Sequence, residues 1–278
     1  MNDQNFCIFI ISLKNSDRTK SLVSDLNTKN LNFSIIDAVE GNKLTQNEIR
    51  TQYDILGTTA RLGYGISSNM MACALSHLKT YNYFSETSYD WALVFEEDAR
   101  ITNYFDLKAI QNICNQNINI PTIIQLFSRS SRLTKRSSWK KITNNVHMFD
   151  FLPKLTGSGT PAYLINRKAA QIAIKNPRIV GPADWPSWHL KVSFKGVYPW
   201  FAYETDYGST IDVPKIKKLQ VWSRWIQILL GIHYVRNHKH YSNFNSYISE
   251  EILPVLNHVK WRLFGSKYFG DKDGPQII

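Results

Sequence analysis

Three consecutive carboxylates, Glu96-Glu97-Asp98, follow the short apolar run Trp91-Ala92-Leu93-Val94-Phe95, and they are the sharpest chemical feature of the chain. The run has the length and composition of a strand, so the acids stand where a strand leaves its sheet. In open α/β sheets the ligand crevice lies outside the carboxyl ends of the strands. Glu96 and Asp98, one residue apart, would share a face and could hold a hard divalent cation that also takes diphosphate oxygens. The same triplet reads equally as a solvated acidic turn. Further side chains with chemical capacity are Arg18 behind the first apolar run, Asp37 at the end of the second, His77 in a helical pattern, and Asp184, His189 and Asp206 later in the chain.

The elements that must position these groups follow an α/β order. Phe6 to Leu13 is a continuous apolar, β-branched run, as in a strand buried on both faces of a mostly parallel sheet. Leu22, Val23 and Leu26 have helical spacing, and Phe33 to Val39 reads as the next strand. Ser67 or Ser68 can cap a helix that places Met71, Ala74, Leu75, Leu78 and Tyr81 on one face. Apolar runs at Ile120 to Phe127 and Val146 to Leu152 flank a basic segment, Arg129 to Lys141, expected as an exposed loop or lid. Thr156 to Thr160 is a Gly-containing turn, Ala162 to Ile165 a strand and Arg167 to Lys175 a helix.

The 278 residues suffice for one large domain with a buried core, and 43% hydrophobic with 20% charged residues excludes disordered, collagen-like and coiled-coil chains. Thirty-three Lys and Arg against 22 Asp and Glu give a net charge of +11, so the surface attracts polyanions: nucleic acid, anionic lipid or phosphorylated small molecules. Cys7, Cys73 and Cys114 are odd in number and widely spaced, which indicates neither a disulfide framework nor a zinc site and fits a reducing cytosol. Met1 to Gln4 lacks the basic segment of a signal peptide. The most apolar window, Trp222 to Val235, is broken by Arg224, Gln227 and His233, so it can touch a bilayer without crossing it.

Five segments in order carry a family resemblance: Ile10 to Leu13 followed by Asp17-Arg18; Ile36 to Gly41; Ala72-Cys73-Ala74-Leu75-Ser76-His77; Ala92 to Ala99 around the acidic triplet; and Gly159 to Ile165. Together, over about residues 6 to 211, they resemble glycosyltransferase family 25, which comprises lipopolysaccharide and lipooligosaccharide sugar transferases and related collagen galactosyltransferases. The resemblance implies a GT-A type nucleotide-sugar-binding fold over residues 1–213, a UDP-sugar donor, a divalent metal, usually Mn²⁺, and inversion at the anomeric carbon. It places Leu13 and Arg18 at the nucleotide, Asp37 as a uridine contact, His77 and Thr160 near the donor pocket, and Glu96, Glu97 and Asp98 at the metal and diphosphate. Asp98 and Glu96 are the expected metal ligands, with His189 as a third. An inverting transfer needs a general base for the acceptor hydroxyl. Asp184, in a segment resembling the family's Pro-X-Asp, is the candidate, with Trp185 and Trp188 suited to stacking on sugar; Asp206 is the runner-up.

From about Pro214 the chain interleaves cations and aromatics, including Lys215, Lys217, Lys218, Trp222, Arg224 and Trp225. This region, 214–278, is expected as a basic, helical extension on an anionic membrane surface, which would make the enzyme peripheral on the inner face of the cytoplasmic membrane of a Gram-negative bacterium. The expected activity is transfer of galactose from UDP-galactose to a lipooligosaccharide acceptor. The alternatives are UDP-glucose as donor, a basic nucleic-acid-binding protein, although no nucleic-acid motif is present and no such partner is expected, and a glycan-binding protein without catalysis.

Overall fold

The computed structural model describes residues 5–55, 57–58, 66–116, 118–128, 133–134, 136–151, 159–176, 178–183, 185–186, 188, 191–205 and 276–277. In chain order the elements are β1 (Cys7–Ser12), α1 (Lys20–Thr28), β2 (Ser34–Asp37), α2 (Gln46–Gln52), α3 (Ser68–Ser85), β3 (Trp91–Glu96), β4 (Ala99–Ile101) and α4 (Leu107–Cys114). They continue with β5 (Thr122–Gln125), β6 (Leu133–Thr134), β7 (Lys140–Lys141), β8 (His147–Asp150), β9 (Ala162–Asn166), α5 (Arg167–Ile174), β10 (Ser193–Tyr198), β11 (Ala202–Glu204) and β12 (Gln276–Ile277). Apart from β12, which pairs with β6, the basic region from Pro214 lies outside the described residues.

Eight strands form the central sheet in the order β2-β1-β3-β9-β5-β10-β8-β7. β1 is parallel to β2 and β3, and β10 to β5, whereas β9 opposes β3 and β5, and β8 opposes β10 and β7. Only β9 and β8 therefore run against the other strands, and the protein is a mixed α/β fold with a mostly parallel sheet. The chain leaves β1 for β2 on one side and then returns to β3 on the other. In open sheets such a reversal marks the crevice outside the strand ends where ligands bind, and here it falls at the carboxyl ends of β1 and β3.

The uninterrupted apolar run of β1 is explained by helices on both faces. Ile8 and Ile10 pack with Leu22 and Leu26 of α1 and Ile110 of α4; Phe9 and Ile11 share a second cluster with Tyr81 and Phe84 of α3 and Ala170 of α5. Ser67 is the cap of α3, its hydroxyl accepting from the Met70 amide, and Met71, Ala74, Leu75 and Tyr81 of the expected face are buried. One expectation changes: Lys140 and Lys141, read as part of an exposed loop or lid, form the edge strand β7 against β8. Two exposed lysines on an outer strand discourage edge-to-edge pairing with another molecule. No helix among the described residues is long and apolar enough to cross a membrane.

Gly196 on β10 lies directly opposite Phe149 on β8, and a Cβ at this position would run into the Phe149 ring. That ring is confined by Trp139, Phe151 and Trp200 at centroid distances of 5.2, 5.3 and 6.1 Å. Gly196→Ala is expected to destabilise the protein by about 1–3 kcal/mol through overpacking. The check is a lower urea midpoint at unchanged slope.

Candidate functional site

The crevice between β1 and β3 is closed by one buried carboxylate. Glu97 Oε2 accepts from the Ser12 hydroxyl at 3.0 Å and the Leu13 amide at 3.1 Å, and Glu97 Oε1 is paired with Arg18 Nη1 at 3.0 Å. Arg18 Nη2 reaches Asp98 Oδ2 at 2.7 Å, so a single guanidinium bridges two neighbouring acids. The loop is prepared for this. The Ser16 amide closes a turn on the Leu13 carbonyl at 3.0 Å, Asn15 adopts the left-handed φ of 62°, and the Ser16 hydroxyl accepts from the Arg18 amide. Asn tolerates that backbone better than most residues.

The strand pleat decides where Glu96 points. Ala92 and Val94 face the α3 side of the sheet, Leu93 and Phe95 the α1 side, and Glu96 continues the alternation toward α3. There its Oε1 meets His77 Nε2 at 3.2 Å and accepts from the Thr160 hydroxyl. His77 Nδ1 is 2.7 Å from Tyr163 Oη, which is 2.9 Å from Tyr81 Oη. Burial lifts both phenols above their ordinary pKa, so they stay neutral. Thr160 is delivered by the turn before β9, where Gly159 takes a φ of 85° and its carbonyl accepts from Gln125 Nε2.

Asp98 lies past the end of β3, in a turn, so the alternation does not extend to it. Its hydrogen bonds run to Arg18 while those of Glu96 run to His77 and Thr160, and the expected shared face becomes two adjoining positions. Burial, then the negative charge of Glu96, push the Asp98 carboxyl up to about 7 against the pull of Arg18, with Glu204 of β11 adding to the rise. Asp98 Oδ1 is buried with no hydrogen-bond partner among the described residues. Thr205 fastens the same turn through two bonds to the Asp98 carbonyl, 2.9 Å from its amide and 2.8 Å from its hydroxyl.

The fold thus gathers Leu13, Arg18, His77, Glu96, Glu97, Asp98 and Thr160. Asp37 stands at the exposed end of β2 beside Ser12, its carbonyl accepting from Lys79. Asp184, His189 and Asp206 lie outside the described residues. Trp185 and Trp188, expected to stack on sugar, are instead core: Trp185 is 3% exposed between Tyr163 and Phe194, and Trp188 is 5% exposed against Tyr81. Their rings bury more apolar area in the sheet–helix interface than a crevice wall would offer. Ser12, Tyr163 and Glu204 carry no site expectation from the sequence, although the polar residue closing an otherwise apolar strand is a readable signal for Ser12.

The model of glycosyltransferase family 25, described as a lipopolysaccharide biosynthesis protein, matches residues 6–181. A search of curated proteins gives no match. Among solved structures, one of a glycosyltransferase involved in the glycosylation of the major capsid of PBCV-1 aligns at 11% identity and TM-score 0.29, over 60% of this chain and 63% of that one. This chain thus spans less than two thirds of that protein's length.

The raised Asp98 carboxyl has a consequence for stability. Between its ordinary value of 3.8 and about 7, the folded protein holds a proton that the unfolded chain lacks. Its contribution is therefore full below about pH 4, is lost as pH rises through about 7, and is level above that. Asp98→Asn removes the loss. Urea unfolding in chelator should show the variant gaining on the parent by about 2–4 kcal/mol between pH 4 and pH 8; a difference that does not change with pH would refute it.

Proposed function

The chain belongs to glycosyltransferase family 25, and from that premise we propose that it transfers galactose from UDP-galactose to a sugar of a lipooligosaccharide or lipopolysaccharide acceptor, with inversion at the anomeric carbon. The observation that carries this reading is the Arg18 bridge to Glu97 and Asp98 at the β1–β3 crevice. A GT-A type fold would take its nucleotide diphosphate at these strand ends, beside that guanidinium. The two guanidinium nitrogens that now pair with carboxylates would instead pair with two oxygens of a diphosphate.

A divalent cation such as Mn²⁺ fits the residues present. Asp98 keeps a buried oxygen with no hydrogen-bond partner among the described residues, and Glu96 and Glu204 crowd it with negative charge. Asp98 and Glu96 would hold the ion, with His189 as a further ligand, and it would supply neutralising charge to the diphosphate. The protein's own groups do the rest. The Ser12–Arg18 loop seats the nucleotide, Asp37 reaches its uridine, and His77 and Thr160 fix the Glu96 carboxylate. A bond forms from the acceptor oxygen to the anomeric carbon as the bond from that carbon to the diphosphate oxygen breaks. Asp184, or Asp206 in its place, takes the hydroxyl proton, UDP leaves as the anion, and Arg18 stabilises the charge that grows on it.

The basic, aromatic region after Pro214 would hold the enzyme on an anionic leaflet beside its lipid-linked acceptor. Replacing Lys215, Lys217 and Lys218 together by Gln should weaken binding to phosphatidylglycerol vesicles about 10-fold or more in low salt. Equal sedimentation with vesicles would count against a membrane role.

The transfer itself is tested with a truncated lipooligosaccharide acceptor and a panel of UDP-sugars, with and without Mn²⁺. Product is expected from UDP-galactose, with Asp98→Asn and Arg18→Ala each lowering kcat by about 10²-fold or more. Product from UDP-glucose alone would reassign the donor, and no turnover of any UDP-sugar would overturn the reading.

A further inference from the structure

Cys73 precedes His77 by four residues on α3, so the two side chains leave the same face of the helix and meet the Glu96 carboxylate at the end of β3. One potential ligand atom from each, the Cys73 sulfur, a His77 ring nitrogen and a Glu96 oxygen, lies within 4.8 Å of the other two. The His77 Nε2 to Glu96 Oε1 separation is 3.2 Å. In a zinc tetrahedron with bonds of about 2.0–2.1 Å to nitrogen and oxygen, the edge between those ligands is about 3.3 Å. The remaining approach of the sulfur, to about 3.6 Å from its neighbours, needs only side-chain adjustment.

The surroundings match a ligating histidine. Its other ring nitrogen is 2.7 Å from Tyr163 Oη, itself backed by Tyr81 Oη, the kind of outer hydrogen bond that fixes imidazole orientation behind a metal. His77 is 4% exposed and Cys73 is in no disulfide. We propose that Cys73, His77 and Glu96 form a binding site for one thiophilic transition-metal ion of the Zn²⁺ class, which shares the Glu96 carboxylate with the cation position at Asp98 but offers a thiolate and an imidazole in place of oxygen. Thiolate with imidazole selects zinc or cobalt over manganese and magnesium, and three protein ligands leave a fourth position for water or a substrate oxygen. Binding releases the Cys73 thiol proton to solvent. This goes beyond sugar transfer, and its readout requires no sugar nucleotide.

The test uses the full chain, stripped with chelator and titrated with Co²⁺ and then Zn²⁺. One equivalent of Co²⁺ should give a near-ultraviolet thiolate-to-metal band with the intense visible bands of a tetrahedral site, both abolished by one equivalent of Zn²⁺ and unchanged by a tenfold excess of Mn²⁺. Cys73→Ser should lose the near-ultraviolet band, Tyr163→Phe should keep it with about 10- to 100-fold weaker affinity, and Asp98→Asn should keep the band. A parent protein with no thiolate band at stoichiometric Co²⁺, a band that survives in Cys73→Ser, or displacement by Mn²⁺ would each overturn the proposal. Should Cys73→Ser fail to fold, the parent spectrum decides alone.

Discussion

A buried carboxylate is tolerable only when its lone pairs are occupied and its charge is met, and Glu97 satisfies both conditions at the point where two strands end. Its partners come from the exit of β1, the loop behind it and the first turn before α1. No backbone ladder joins these segments beyond the end of the strands. The Glu97 carboxylate therefore does what main-chain pairing cannot, holding the Ser12–Arg18 loop against the exit of β3 and fixing the position of Arg18. The middle acid of the triplet is thus a structural clamp, with both of its oxygens engaged in holding the loop.

The last acid of the triplet stands in a different condition. Asp98 shares Arg18 with Glu97 and is crowded by Glu96 and Glu204, so burial and then the accumulated negative charge push its carboxyl up. A protein selected only for stability would replace such a group, since an under-compensated buried carboxylate costs folding free energy. Sites that violate local consistency in this way are where function is expected. The accumulated charge lies at the topological reversal of the sheet, and that coincidence of charge and topology locates the site more firmly than either does alone.

Much of this was legible in the residues. The apolar runs of β1, β3 and β9 and the facial pattern of α3 are strong signals because burial on one or both sides leaves little freedom of composition. The acidic triplet was legible from its place at the exit of a strand, and Arg18 beside it from the family resemblance. The short α2, α4, β10 and β11 were not assigned, since seven or eight residues of helix, or three to six of strand, give too few repeats of a period. The separate directions of Glu96 and Asp98 depend on β3 ending at Glu96, and a one-residue boundary is beyond any periodicity argument. Trp185 and Trp188 misled because an aromatic beside an acid looks the same in sequence whether it lines a sugar site or fills a core. Cys73 and His77 carry a readable four-residue spacing, but the Glu96 that joins them is brought by the sheet.

The aromatic residues behind His77 have a consequence for how charge is distributed. Tyr163 and Tyr81 are fully enclosed, and burial raises both phenols, so neither ionises where the protein is folded. The Trp188 edge against Tyr81 and the Trp185 edge against Tyr163 complete a neutral wall of low polarity. The Glu96 carboxylate therefore has low-dielectric surroundings on one flank, which strengthens its pull on a cation. The two core tryptophans thus still act on the site, by keeping the tyrosines behind His77 in apolar surroundings.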